Sequence, residues 1–186
     1  MDISAIILIV GSLSLGVLEI SLSTGKTINH VNLKLAVKVA FLIVILHIPM
    51  LLIGWFSGEK LDVLITHYEH WIALGILILL GIKMIVESFV KRSSRKHKFS
   101  SITITMLLGM ILTALFDALV MGISFALLNV NILFIIILAG VVLFSASILG
   151  IFSGRIIFKK SAIYIRTVGG LMLLLTVITA LIKSPY

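Results

Sequence analysis

The chain has 186 residues, of which 61% are hydrophobic and only 12% charged, with a mean hydropathy of +1.31. A soluble domain of this length cannot hide that much apolar surface, so the composition implies lipid as the solvent. A net charge of +8 would suit nucleic acid, but the basic residues sit in short connections between apolar runs and read as topology signals. The absence of cysteine excludes a disulfide framework and thiolate metal ligation.

In lipid each span must satisfy its own backbone, which leaves helices or a closed barrel. Barrel strands alternate polar and apolar residues, whereas Trp71 to Val90 is apolar on every face. Six runs of near-spanning length follow: Ile3 to Leu22, Leu33 to Phe56, Tyr68 to Val90, Ile102 to Leu128, Ile132 to Phe152 and Thr167 to Ile182.

The first run lacks a basic start and a small-residue cleavage site, so it is expected to be a retained helix. Its one acid, Glu19, lies about one turn from the far end. Two readings stay open for it: a snorkelling surface glutamate, or a carboxylate leaning back over Gly16. In the second run His47 precedes Pro49, which frees a backbone carbonyl and favours a kink of the kind that marks transporter sites. Packing and ligand roles are both open for that imidazole.

The loop before the third run holds Asp62, His67, Glu69 and His70, which read as a solvated surface. Lys83 and Glu87, spaced i and i+4, read as a structural ion pair. The fourth run places Asp117 near the bilayer centre, where an aspartate costs roughly 2.5 to 3.5 kcal/mol on insertion scales. It is either a structural carboxyl bonded to Thr113 or a cation or proton site. Thr113, Asp117 and Ser124 share a polar stripe on this helix, and Gly109 and Gly122 permit close helix approach. Asn129-Val130-Asn131 turns the chain tightly into the fifth run.

Basic residues gather at the first connection (Lys26, Lys34, Lys38), the third (Lys91, Arg92, Arg95, Lys96, Lys98) and the fifth (Arg155, Lys159, Lys160). The positive-inside rule places these loops in the cytoplasm and both termini outside. Three helices per half then give inverted-topology repeats, 1–98 and 99–186. Gly54-Trp55-Phe56-Ser57-Gly58 ends the second run and Gly150-Ile151-Phe152-Ser153-Gly154 the fifth. Gly16 falls where the fourth run has Asp117, and Gly75 and Gly170 occupy similar places in the third and sixth.

No nucleotide loop, zinc-protease signature or nucleophile elbow is present, so an ATP-driven pump or a membrane hydrolase has little support, and no enzyme is expected. Several passages carry a resemblance instead: Leu52-Ile53-Gly54-Trp55, His70-Trp71-Ile72-Ala73, Leu80-Gly81-Ile82-Lys83-Met84-Ile85-Val86-Glu87, Thr113 to Gly122, Val130-Asn131-Ile132 and Gly150 to Arg155. Through them the chain resembles the manganese efflux pump family (MntP type), small six-helix transporters related to the lysine exporter superfamily. The resemblance implies a multi-pass protein of a prokaryotic plasma membrane that exports a divalent cation, manganese foremost. The expected partners are that metal and the bilayer, with no nucleic acid and no prosthetic group; because moving a dication out of a negative interior needs a driving ion, export in exchange for protons is expected.

In that family the first and fourth helices each carry an intramembrane aspartate, and the second carries Glu or Gln upstream of its proline. This chain keeps Asp117 but has Gly16 and His47 at the other two positions. Glu19, on the same face as Gly16, is the expected replacement acid. The expected metal set is therefore Asp117, Glu19, His47, Thr113 and Ser124. Histidine in the set moves preference from manganese toward iron, cobalt, nickel or zinc. Two alternatives remain: export of another small solute on the same scaffold, and a non-transporting membrane protein whose metal site has decayed.

Overall fold

The computed structural model describes residues 3–27, 32–62, 68–95 and 104–183. Over these the chain forms α1 (Ile3–Thr27), α2 (Leu33–Asp62), α3 (Glu69–Arg95), α4 (Ile104–Leu127) and α5 (Ile132–Lys183), with no strand among the described residues. His67, Lys96 and Lys98 fall outside them. Six stretches are long and apolar enough to cross a membrane, one each in α1 to α4 and two in α5, Ile132–Gly154 and Tyr164–Ile182. Large apolar side chains such as Phe41, Leu79, Leu112, Ile137 and Leu175 point outward, as a lipid-facing surface requires. The protein is an all-α, six-span membrane protein.

α5 keeps helical hydrogen bonding through 52 residues, but a straight helix of that length would measure about 78 Å, more than twice the hydrocarbon thickness. Both of its spans instead pack on α1. Gly154 lies against Leu22 and Gly25, whereas Gly169 lies against Ser12 and Leu15. From Gly150 to Gly154 the contacts advance along α1, from Leu18 to Leu22, yet by Gly169 they have returned to Ser12 and Leu15, so the chain reverses between Gly154 and Gly169. The sixth apolar stretch, Tyr164–Ile182, includes Arg166 ahead of the expected Thr167.

The tight hairpin between α4 and α5 is present at 129–131. Asn129 has φ 53°, a left-handed conformation that asparagine tolerates better than most residues. The Val130 N–H donates to the Phe125 carbonyl at 3.2 Å and the Asn129 N–H to the Ala126 carbonyl at 2.9 Å, the Schellman pattern that closes a helix. Asn131 Oδ1 then accepts from the Leu133 N–H at 2.9 Å, capping α5.

Two helix seams are built alike. Any side chain at Gly54 of α2 would collide with the Leu119 carbonyl of α4, and one at Gly58 would press on Ile123. In α5, Gly150 meets the Leu18 carbonyl of α1, and Gly154 meets the Leu22 carbonyl. Leu18 and Leu119, and likewise Leu22 and Ile123, stand at the sequence separation that relates Gly16 to Asp117. The third seam, between α3 and the sixth span, brings Gly170 against Gly81. Gly75, expected as the partner position of Gly170, has nothing within 4 Å of where a Cβ would stand.

Candidate ion-binding site

The seams aim four helices at one ionic cluster. With Gly169 seated on α1 and Gly170 on α3, Arg166 sits one turn earlier, in the space enclosed by α1, α3 and α4. Next to it, the hydroxyls of Thr167 and Ser88 lie 2.5 Å apart, fixing the register of this span against α3. Arg166 is 1% exposed. Its Nη2 lies 2.5 Å from Glu87 Oε2 and 3.0 Å from Asp117 Oδ2, and its Nη1 lies 3.4 Å from Glu19 Oε2. Lys83 completes the cluster. Its ammonium bonds to Asp117 Oδ1, lies 3.6 Å from Glu87 Oε1, and stands 5.0 Å from the centre of the Phe116 ring.

Among the described residues, three carboxylates from three helices thus share two fixed cations. Burying charge without a partner is expensive, and breaking a buried pair costs on the order of 3 to 5 kcal/mol, so each member of the cluster depends on the others. The arrangement leaves some polar atoms unmet. Arg166 Nε is buried without an acceptor. Glu87 Oε2, although close to the guanidinium, has no aligned N–H.

Asp117 and Glu19, expected to share a site, do meet, through Arg166. Glu19 is 2% exposed, which removes the reading of it as a snorkelling surface residue. Asp117 is not bonded to Thr113, whose hydroxyl donates to the Gly109 carbonyl at 2.7 Å. Ser124 is fully buried, but its hydroxyl donates to Val120 at 3.1 Å. Neither hydroxyl has a hydrogen bond to the cluster.

His47 is 2% exposed and lies within electrostatic range of Asp117. Its Nδ1 stands 2.8 Å from the Ile43 carbonyl, an acceptor only, so Nδ1 carries the proton. Nε2 is buried with no partner and presents a lone pair, the form of imidazole that accepts a proton or binds a metal. Pro49 lacks the N–H that would meet the Ile45 carbonyl, but the histidine bonds a different carbonyl.

Sequence reasoning missed the central residue, Arg166, and treated Lys83 and Glu87 as a local pair although both reach across to other helices. Among the described residues, no three His, Asp or Glu side chains are arranged to hold a metal ion. The acids face the guanidinium and not one another. Away from this cluster, a depression of about 340 Å³ opens among Trp55, Glu59, Asn129 and Asn131, at the α4–α5 hairpin.

A family model described as "Putative manganese efflux pump" matches residues 30–181. A protein of Crocosphaera subtropica named "Putative manganese efflux pump MntP" is 34% identical over 159 residues, covering 84% of this chain and 82% of that protein. A protein of the same name from Ruminiclostridium cellulolyticum is 30% identical over 177 residues, covering 93% and 92%. Another from Methanosarcina barkeri is 33% identical over 162 residues, covering 87% and 86%. No solved structure matches the chain.

Proposed function

This chain belongs to the manganese efflux pump family, and from that premise we propose that it is a secondary transporter that exports a divalent cation, manganese foremost, in exchange for protons. The observation that carries the reading is the meeting of buried Glu19 and Asp117 with the half-buried Glu87 inside a six-span membrane protein. Intramembrane acids on separate helices are costly and typically mark an ion path. Glu19 and Asp117 are the proposed oxygen ligands, with His47 Nε2 as a nearby nitrogen ligand or proton acceptor. Thr113 and Ser124 have no part in this reading, since each hydroxyl is committed to its own helix.

The scaffold is proposed to be two inverted-topology repeats, 1–98 and 99–186, in a prokaryotic plasma membrane with both termini outside. The matched glycine seams and the basic odd-numbered connections support this arrangement. Alternating access then amounts to one repeat rocking against the other around the cluster.

Coupling follows from energetics. Moving a dication out of a negative interior costs about 4.6 kcal/mol per 100 mV, twice the unit-charge value. Proton entry supplies that work if carboxylates that release metal outside take up protons there. The test is manganese-dependent proton movement in proteoliposomes holding the purified protein. Metal flux accompanied by opposite proton flux is expected. Metal flux without proton movement would overturn the exchange, and no metal flux would overturn the export reading in favour of another solute or a decayed site.

A further inference from the structure

The reading above leaves a conflict. The acids proposed to hold metal surround a guanidinium, and among the described residues no group of acids and histidines is free to take a metal as it stands. Arginine cannot resolve this by losing its proton, because its charge is permanent at any relevant pH. It can only move.

We propose that Arg166 is a tethered counter-ion: it fills the carboxylate cluster when the carrier is empty and must swing away for a divalent cation to bind. This rests on the assignment of Glu19 and Asp117 as metal ligands. Three observations point to it. First, Arg166 bridges acids on three different helices through its two terminal nitrogens, which is the set of contacts a single bound cation would make.

Second, a guanidinium and a dication would compete for the same oxygens. Asp117 and Glu87 both face Nη2 of Arg166 and Glu19 faces Nη1, so a dication drawn to these carboxylates meets a fixed positive charge at close range. In a low-dielectric surrounding that repulsion favours one of the two cations at a time.

Third, Arg166 is placed to leave. It lies one residue before the apolar run that begins at Thr167, and its Nε has no acceptor. A long arginine stem at a span edge can carry its head to the interface. The consequence for transport is that the arginine holds metal affinity down. A site of three bare carboxylates would bind a dication tightly and release it slowly. A built-in rival cation speeds release and covers whichever of the acids returns without a proton.

The experiment measures Mn²⁺ binding to the purified full-length protein by titration calorimetry, for wild type, Arg166→Met and Arg166→Lys. Arg166→Met should bind Mn²⁺ at least about tenfold more tightly, and its melting temperature should rise more with added Mn²⁺ than that of wild type. Turnover in vesicles should fall while the half-saturating metal concentration also falls. Arg166→Lys, which keeps the charge but loses the fork, should lie between the two.

Folded Arg166→Met that binds Mn²⁺ no more tightly than wild type overturns the proposal. If Arg166→Met folds only when Mn²⁺ is supplied during purification, the metal is replacing the arginine and the proposal stands. If it never folds, Arg166→Lys decides: a gain of about threefold or more supports the counter-ion role, and unchanged or weaker binding overturns it. The two readings fail separately. Tight Mn²⁺ binding by Arg166→Met beside a wild type that exports nothing would sink export alone. Export by wild type with no gain in Arg166→Met would sink the counter-ion alone.

Discussion

The seam between α2 and α4 and the seam between α1 and the fifth span are packed by the same device, paired glycines under a neighbouring carbonyl at matching positions. The charges set inside the two halves do not match at all. The second half offers Asp117 and Arg166, whereas the first has Gly16 where Asp117 falls and supplies Glu19, Lys83 and Glu87 elsewhere. Close backbone packing tolerates few substitutions, because any Cβ there meets main chain. An ion cluster is held by charge balance, so acids can move along a helix face as long as the sum is kept. The glycine seams therefore match while the charges they enclose do not.

The largest effects should come from the seams. Gly54→Leu and Gly150→Leu each force a side chain into backbone, and overpacking of this kind costs about 1 to 3 kcal/mol or more. Both should lower the melting temperature or abolish folded yield to a similar degree. Gly75→Leu, where nothing lies within 4 Å, should be nearly silent. A seam glycine that tolerates leucine would break the likeness between the seams.

Next come the charges that differ between the halves. Glu19→Gln should abolish metal-dependent efflux in a protein that still folds. Gly16→Asp combined with Glu19→Ala should restore part of it, since no atom lies within 4 Å of a Cβ at position 16 and the acid returns to the place matching Asp117. Efflux measured side by side in the two variants checks this, and wild-type rates for Glu19→Gln would remove that residue from the site. The smallest effect is one of preference. His47→Glu replaces a nitrogen donor with oxygen and should shift selectivity toward manganese over zinc by roughly tenfold or less, read as a ratio of efflux rates.

Much of this molecule is legible in its sequence because membrane spans and tight turns are local features. The spans follow from apolar length, and the hairpin at Asn129 to Asn131 from residues suited to a left-handed cap. The carboxylates Asp117 and Glu19 stand out because an acid in an apolar run has to be explained. Arg166 does not stand out. It adjoins the last apolar run after a basic stretch, and a cation at a span edge has the same sequence signature whether it snorkels to water or turns inward. What turns it inward is the presence of three acids on other helices, together with a glycine seam against Gly81 that no short-range pattern announces. Lys83 and Glu87 illustrate the same limit, since their i, i+4 spacing predicts their mutual pair but not the reach of Lys83 to Asp117.

The account rests most heavily on Asp117 as a carrier of metal and not merely as the partner of Lys83 and Arg166. The direct measurement is Mn²⁺ uptake into inverted membrane vesicles under an imposed proton gradient, comparing wild type with Asp117→Asn at equal amounts of folded protein. The account predicts saturable uptake by wild type and only background uptake by Asp117→Asn. Wild-type uptake by Asp117→Asn would contradict it.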